Sequence, residues 1–183
     1  MYKRQILDFL YELATKPENT RYLKTCEVYT VPCMNPDGRE AGMHRHPNGI
    51  DMNDVYINEP VMAEGKNVAA VLERYKTELQ GAIGMTTHQW GRWPEVLLSC
   101  SALKHGSWDD TLMHNVGIRL SNATDVPVHV QPVYPNSETK VKGIREYMYH
   151  RIGIPNFVLE TKAQGFDLGR QMPSMLQELH LYY

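Results

Sequence analysis

The chain has 183 residues, 42% hydrophobic and 22% charged, with a formal net charge of −2. That is enough chain for one domain with a real core, and the near-neutral balance offers no basic face for nucleic acid or an anionic membrane surface. No apolar run approaches the roughly 20 residues that span a bilayer, and no signal-type apolar stretch follows Met1–Gln5. The three cysteines, Cys26, Cys33 and Cys100, are an odd number, so at least one thiol stays unpaired within the chain, which favours a reducing, cytoplasmic setting.

Ile6, Leu7, Leu10 and Leu13 fall at helical spacing, so residues 4–15 read as a helix that Lys16-Pro17-Glu18-Asn19 breaks. A short helical segment follows at 18–24. Cys26 to Cys33 is β-rich (Val28, Tyr29, Thr30, Val31) and reads as a buried strand. Residues 34–66 form a long irregular stretch of the kind that is usually functional. Val68, Val71, Leu72, Tyr75 and Leu79 give an amphipathic helix over 66–79, which Gly81 ends.

Ala82 to Thr87 reads as a strand, with His88 at its C-terminal end, and a Gly/Pro/Trp-rich loop is expected over 89–107. Ser107 is placed to cap a helix over 108–122, with Asp109 and Asp110 in its first turn, where carboxylates suit the helix dipole. A strand at 126–131, a helix at 140–151, a strand over Asn156–Glu160 and a terminal helix over Gln171–Tyr182 complete the chain. Strands separated by helices predict an α/β sandwich with a mixed, mostly parallel sheet. Ligands of open α/β sheets bind near the carboxyl ends of strands, and His88 and Glu160 both occupy such ends. Each also has an ordinary reading: a histidine hydrogen-bonded at a sheet edge, and a carboxylate paired with Lys162 or Arg151.

Two turns carry the most specific signal. Val31-Pro32-Cys33-Met34-Asn35-Pro36-Asp37-Gly38 runs from an apolar stretch into a turn, and Asn48-Gly49-Ile50-Asp51-Met52-Asn53 follows after a second turn. This pattern resembles the zinc metallocarboxypeptidase family (the carboxypeptidase A/B type), whose chains read Pro-x-x-Asn-Pro-Asp-Gly and then Asn-x-x-Gly-Val-Asp-Leu-Asn-Arg. Phe157-Val158-Leu159-Glu160 with Gly165-Phe166 resembles the family's catalytic-glutamate motif, and Glu160 lies 72 residues after His88, close to the family's spacing.

The resemblance implies a zinc-dependent peptidase acting on a peptide or small amide. His88 would be a zinc ligand, and Glu160 the general base and then acid. Arg45, just before the Pro-Asn-Gly turn, would hold the oxyanion, an interaction worth about 3–4 kcal/mol; Arg39 is a second candidate. Asn53 and Asp54 would meet substrate. The family has arginine at the position of Asp54, where it clamps a terminal carboxylate; Asp54 would repel one.

The family's other two zinc ligands come from a His-x-x-Glu motif, and none of the eight histidines here has Glu three places later. His44-x-His46 could chelate a metal but reads more simply as ordinary loop. On this resemblance, residues 1–183 are a partial catalytic domain, N-terminally truncated and lacking its first strands, with the remaining ligands for one zinc ion expected upstream. Two alternatives stay open: a catalytically inactive binding module that keeps the fold, and a zinc-dependent small-molecule deacylase.

Overall fold

A computed structural model describes residues 2–51, 62–89, 96–101, 108–124, 128–132, 143–154 and 156–161, together with 171, 174 and 177. Helix α1 spans Tyr2–Thr15 and is followed by α2, Pro17–Thr20, and a 3₁₀ turn, Arg21–Lys24. The α1 face that is buried runs through Phe9 and Leu13, one turn apart, which pack with Tyr22. Leu7, expected on that face, is exposed. Helix α1 stops where Thr15 Oγ1 donates to the Tyr11 carbonyl at 2.7 Å and Pro17 opens the next turn.

The strand expected over Cys26–Cys33 does not form. Residues 26–31 take no regular secondary structure and join no ladder among the described residues, and Tyr29 and Val31 are exposed. β-branched and aromatic residues favour extended backbone, but only a neighbouring edge makes it a strand. Cys26 and Cys33 form no disulfide among the described residues and are half-buried; the Cys100 side chain lies outside the described residues.

Helix α3, Pro36–Glu40, falls inside the stretch expected to be irregular. Helix α4 spans Ala63–Arg74, so it starts earlier than the apolar spacing predicts and ends earlier too. Turns carry the chain from Tyr75 to Gly81, whose φ of 80° reverses it, yet Leu79 still reaches the core.

Four strands follow: β1 Gly84–Gln89, β2 Val96–Ser101, β3 Val128–Pro132 and β4 Asn156–Thr161. Strand β2 lies in the segment expected to be loop; Val96-Leu97-Leu98 was its signal, masked by the flanking Trp, Pro and Gly residues. Helix α5 spans Trp108–Thr124, and α6, Ile144–Tyr147, runs into a π-helical turn, Met148–Ile152. The cap expected from Ser107 lies outside the described residues. Of the expected terminal helix, Gln171, Ser174 and Gln177 are described and helical.

The sheet order is β1-β4-β2-β3, with β1/β4 and β2/β3 parallel and β2/β4 antiparallel. The fold is therefore α/β with a mixed, mostly parallel sheet. Strand β4 lies inside the sheet, and Asn156, Phe157, Val158 and Leu159 are buried in succession, so both of its faces are covered. Helix α5 packs on β2 and β3, burying Val116 and Leu120 one turn apart. On the other main cluster, Met62, Val68 and Ala69 meet Ile144, Tyr147, Ile152 and Ile154. Lys76 Nζ donates to the Arg151 carbonyl, tying the end of the α4 region to the π-helical turn. The Tyr147 hydroxyl donates to Glu73 at 3.2 Å, and burial, reinforced by that carboxylate, pushes the phenol pKa up.

Candidate active site

The β1–β4 ladder pairs Thr86 with Val158, Thr87 with Leu159 and His88 with Glu160. A one-residue slip in this register would turn every side chain of one strand to the opposite face of the sheet. A side-chain bond reinforces it: buried Asn156 Nδ2 donates to Thr86 Oγ1 at 3.0 Å. Glu160 is also opposite Val96 of β2, so its backbone lies between two strands. His88 is half-buried at the penultimate position of β1. Residues 72 apart in sequence are thus neighbours in the sheet.

The second group lies on the loop from Asn35 to Asp51. Asn35 caps α3, its Oδ1 accepting the Gly38 N–H at 2.9 Å, while its Nδ2 donates to the His44 carbonyl at 3.1 Å. One side chain therefore holds both sides of the loop. Gly38 is buried against this closure: a Cβ there would lie 2.7 Å from the Arg45 carbonyl oxygen. The Pro47-Asn48-Gly49 turn is braced by Asn48 Oδ1, which accepts the Ile50 N–H at 3.1 Å. Arg45 is exposed and donates through Nη1 to the Gly49 carbonyl at 3.1 Å. That uses one of its five N–H donors, and among the described residues no carboxylate pairs with it. Arg39 is exposed beside equally exposed Glu40 at 3.7 Å, an ion pair of little energetic weight.

His44 and His46 do not act together. His44 Nδ1 faces Asp51 at 3.8 Å, whereas His46 Nε2 faces Glu64 at 3.3 Å and Asp37 at 3.6 Å. Asp37 and Glu64 were not singled out by the sequence: one sits in the first turn of α3, the other in the first turn of α4, and no local spacing connects them. Asn53, Asp54, Trp90 and Trp93 lie outside the described residues. A groove of about 550 Å³ lies elsewhere, between α1 and residues 26–29, and none of the candidate residues lines it.

The family model described as zinc carboxypeptidase matches residues 3–87. A crystal structure of a metallo-carboxypeptidase from Burkholderia cenocepacia has a similar fold, with a TM-score of 0.72 at 16% identity. The match covers 99% of this chain and 54% of that one, so the chain spans about half the length of the structure it resembles. A search of curated proteins finds no match. The family match over residues 3–87 and the shared fold support an assignment to the zinc carboxypeptidase family.

The zinc of that family needs three protein ligands around an open position. His88 is the ligand that the resemblance implies here, and no His-x-x-Glu occurs in the chain. Among the described residues, the group of three side chains able to hold an ion is Asp37, His46 and Glu64, which excludes His88. The described residues therefore do not by themselves fit a zinc site centred on His88.

Proposed function

We propose that residues 1–183 form part of the catalytic domain of a metallopeptidase-like hydrolase that cleaves a peptide or small amide bond. The observation that carries this reading is the pairing of His88 with Glu160 on adjacent parallel strands. On this reading His88 is one zinc ligand, with the others supplied from outside these residues. Glu160 takes a proton from the water that attacks the carbonyl carbon and returns it to the amine nitrogen as the C–N bond breaks. Arg45, whose remaining donors are free of carboxylates among the described residues, binds the oxygen that becomes negative. Asn53 orients the substrate. Asp54 disfavours a free terminal carboxylate and selects an amidated, neutral or cationic end.

The incomplete ligand set and Asp54 favour a second reading, a binding module that keeps the fold without catalysis. The two are separated by expressing the gene's complete reading frame, titrating zinc by calorimetry, and assaying amidated and free peptides. One-to-one zinc binding that His88→Ala abolishes, with hydrolysis reduced about 10²-fold or more by Glu160→Gln, supports the hydrolase. A protein that neither binds zinc nor cleaves either peptide class is the binding module.

A further inference from the structure

We infer that Asp37, His46 and Glu64 form a binding site for a first-row divalent cation that shares no residue with the His88–Glu160 pair. The three side chains come from separate places in the fold: the first turn of α3, the turn before Pro47, and the first turn of α4. Their ligand atoms all lie within 4.8 Å of one another. His46 and Glu64 are largely covered, with 16% and 15% of their side chains exposed, while Asp37 closes the outer side.

Two physical features point to a cation here. The first is distance. Glu64 Oε1 and Asp37 Oδ2 stand 3.3 and 3.6 Å from the same imidazole nitrogen. Good N–H···O bonds are shorter, about 2.7–3.2 Å. Bonds of about 2.0–2.2 Å from one tetrahedral zinc ion put neighbouring ligand atoms roughly 3.3–3.6 Å apart, which matches the two distances from His46 Nε2. The second is charge. Two carboxylates converge on one ring, and among the described residues neither has a lysine or arginine partner. A divalent cation at that point would pair with both carboxylates at once.

One nitrogen and two carboxylate donors suit zinc, cobalt(II) or manganese(II) rather than calcium, which takes six to eight oxygens. Asn48 N–H points at His46 Nδ1 at 3.3 Å, so in the metal-free ring Nε2 carries the proton. Binding at Nε2 moves the proton to Nδ1 and gives up that long contact in exchange for the metal bond.

The test is calorimetric titration of the 183-residue protein with zinc alone, repeated with cobalt(II) read by visible absorption. We expect one ion per chain, a drop in affinity of tenfold or more in His46→Ala and in Glu64→Gln, and a smaller drop in Asp37→Asn. His88→Ala should leave the affinity unchanged. Asp37 is exposed, so Asp37→Asn keeps the fold and remains informative if another variant unfolds; circular dichroism identifies such a variant. Absence of binding, binding unaffected by both His46→Ala and Asp37→Asn, or binding lost in a folded His88→Ala protein would each overturn the proposal.

Discussion

The β1–β4 ladder and the loop from Asn35 to Asp51 hold their candidate residues by different physics. In the ladder, His88 and Glu160 have positions set by backbone pairing over a strand whose Phe157 and Leu159 are 0% exposed. In the loop, polar contacts do the holding, mostly at exposed positions: Arg45 donates to the Gly49 carbonyl, the His46 N–H donates to the Ile50 carbonyl, and the His46 carbonyl accepts the Gly49 N–H. Hydrophobic burial is cooperative and insensitive to the loss of any one hydrogen bond, whereas a polar closure depends on a few donors, each worth about 0.5–1.5 kcal/mol. The sheet should therefore respond to volume changes and the loop to hydrogen-bond or steric changes.

The largest effect is expected in the ladder. Phe157→Ala empties a closed space in the strand between β1 and β2, at a cost of about 3–5 kcal/mol, read as a lower urea midpoint. An effect below 1 kcal/mol would mean that β4 is not the packed centre of the sheet. In the loop, Gly38→Ala sets a methyl group 2.7 Å from the Arg45 carbonyl oxygen, costing about 1–3 kcal/mol by overpacking. It should also shift the Arg45 and His46 amide signals in NMR spectra, and unmoved signals would show that the loop does not close on Gly38. Asn35→Ala removes the α3 cap and the bond to the His44 carbonyl, a loss of about 0.5–2 kcal/mol with protease cleavage rising within residues 36–46. Asn35→Asp keeps the cap and should recover most of that stability.

The smallest effect lies outside both regions. Tyr29 donates to Glu27 at 2.6 Å, and this hydrogen bond, together with nearby negative charge, pushes its phenol up to about 12. A raised pKa means that this contribution to stability is complete below pH 10 and is lost as the pH rises through about 12. Spectrophotometric titration should show one tyrosine moving back toward the ordinary value in Glu27→Gln. Identical curves for the two proteins would remove the Glu27 bond from the account.

Local sequence carried a large part of this. Helices α1, α4 and α5 and strands β1, β3 and β4 announced themselves by period and punctuation. The Asn-Pro-Asp-Gly turn did so too, because Asn35 can cap, Pro36 can open a helix, and Gly38 alone fits beneath the Arg45 carbonyl. Placing His88 and Glu160 at strand ends required no more than reading where apolar runs stop. Strand β2 was legible in Val96-Leu97-Leu98 but was outweighed by its turn-forming neighbours.

What tertiary structure alone decided were relations between distant segments. Residues 26–31 have the composition of a strand, yet no local property supplies the partner edge that would make them one. The register of β1 on β4 follows from packing both faces of β4, and it makes neighbours of His88 and Glu160. Asp37, His46 and Glu64 meet because two helix starts and one turn close on the same point. Period and turn chemistry act over a few residues, and so they are written in the chain; the convergence of charged side chains from three segments depends on the core that holds those segments.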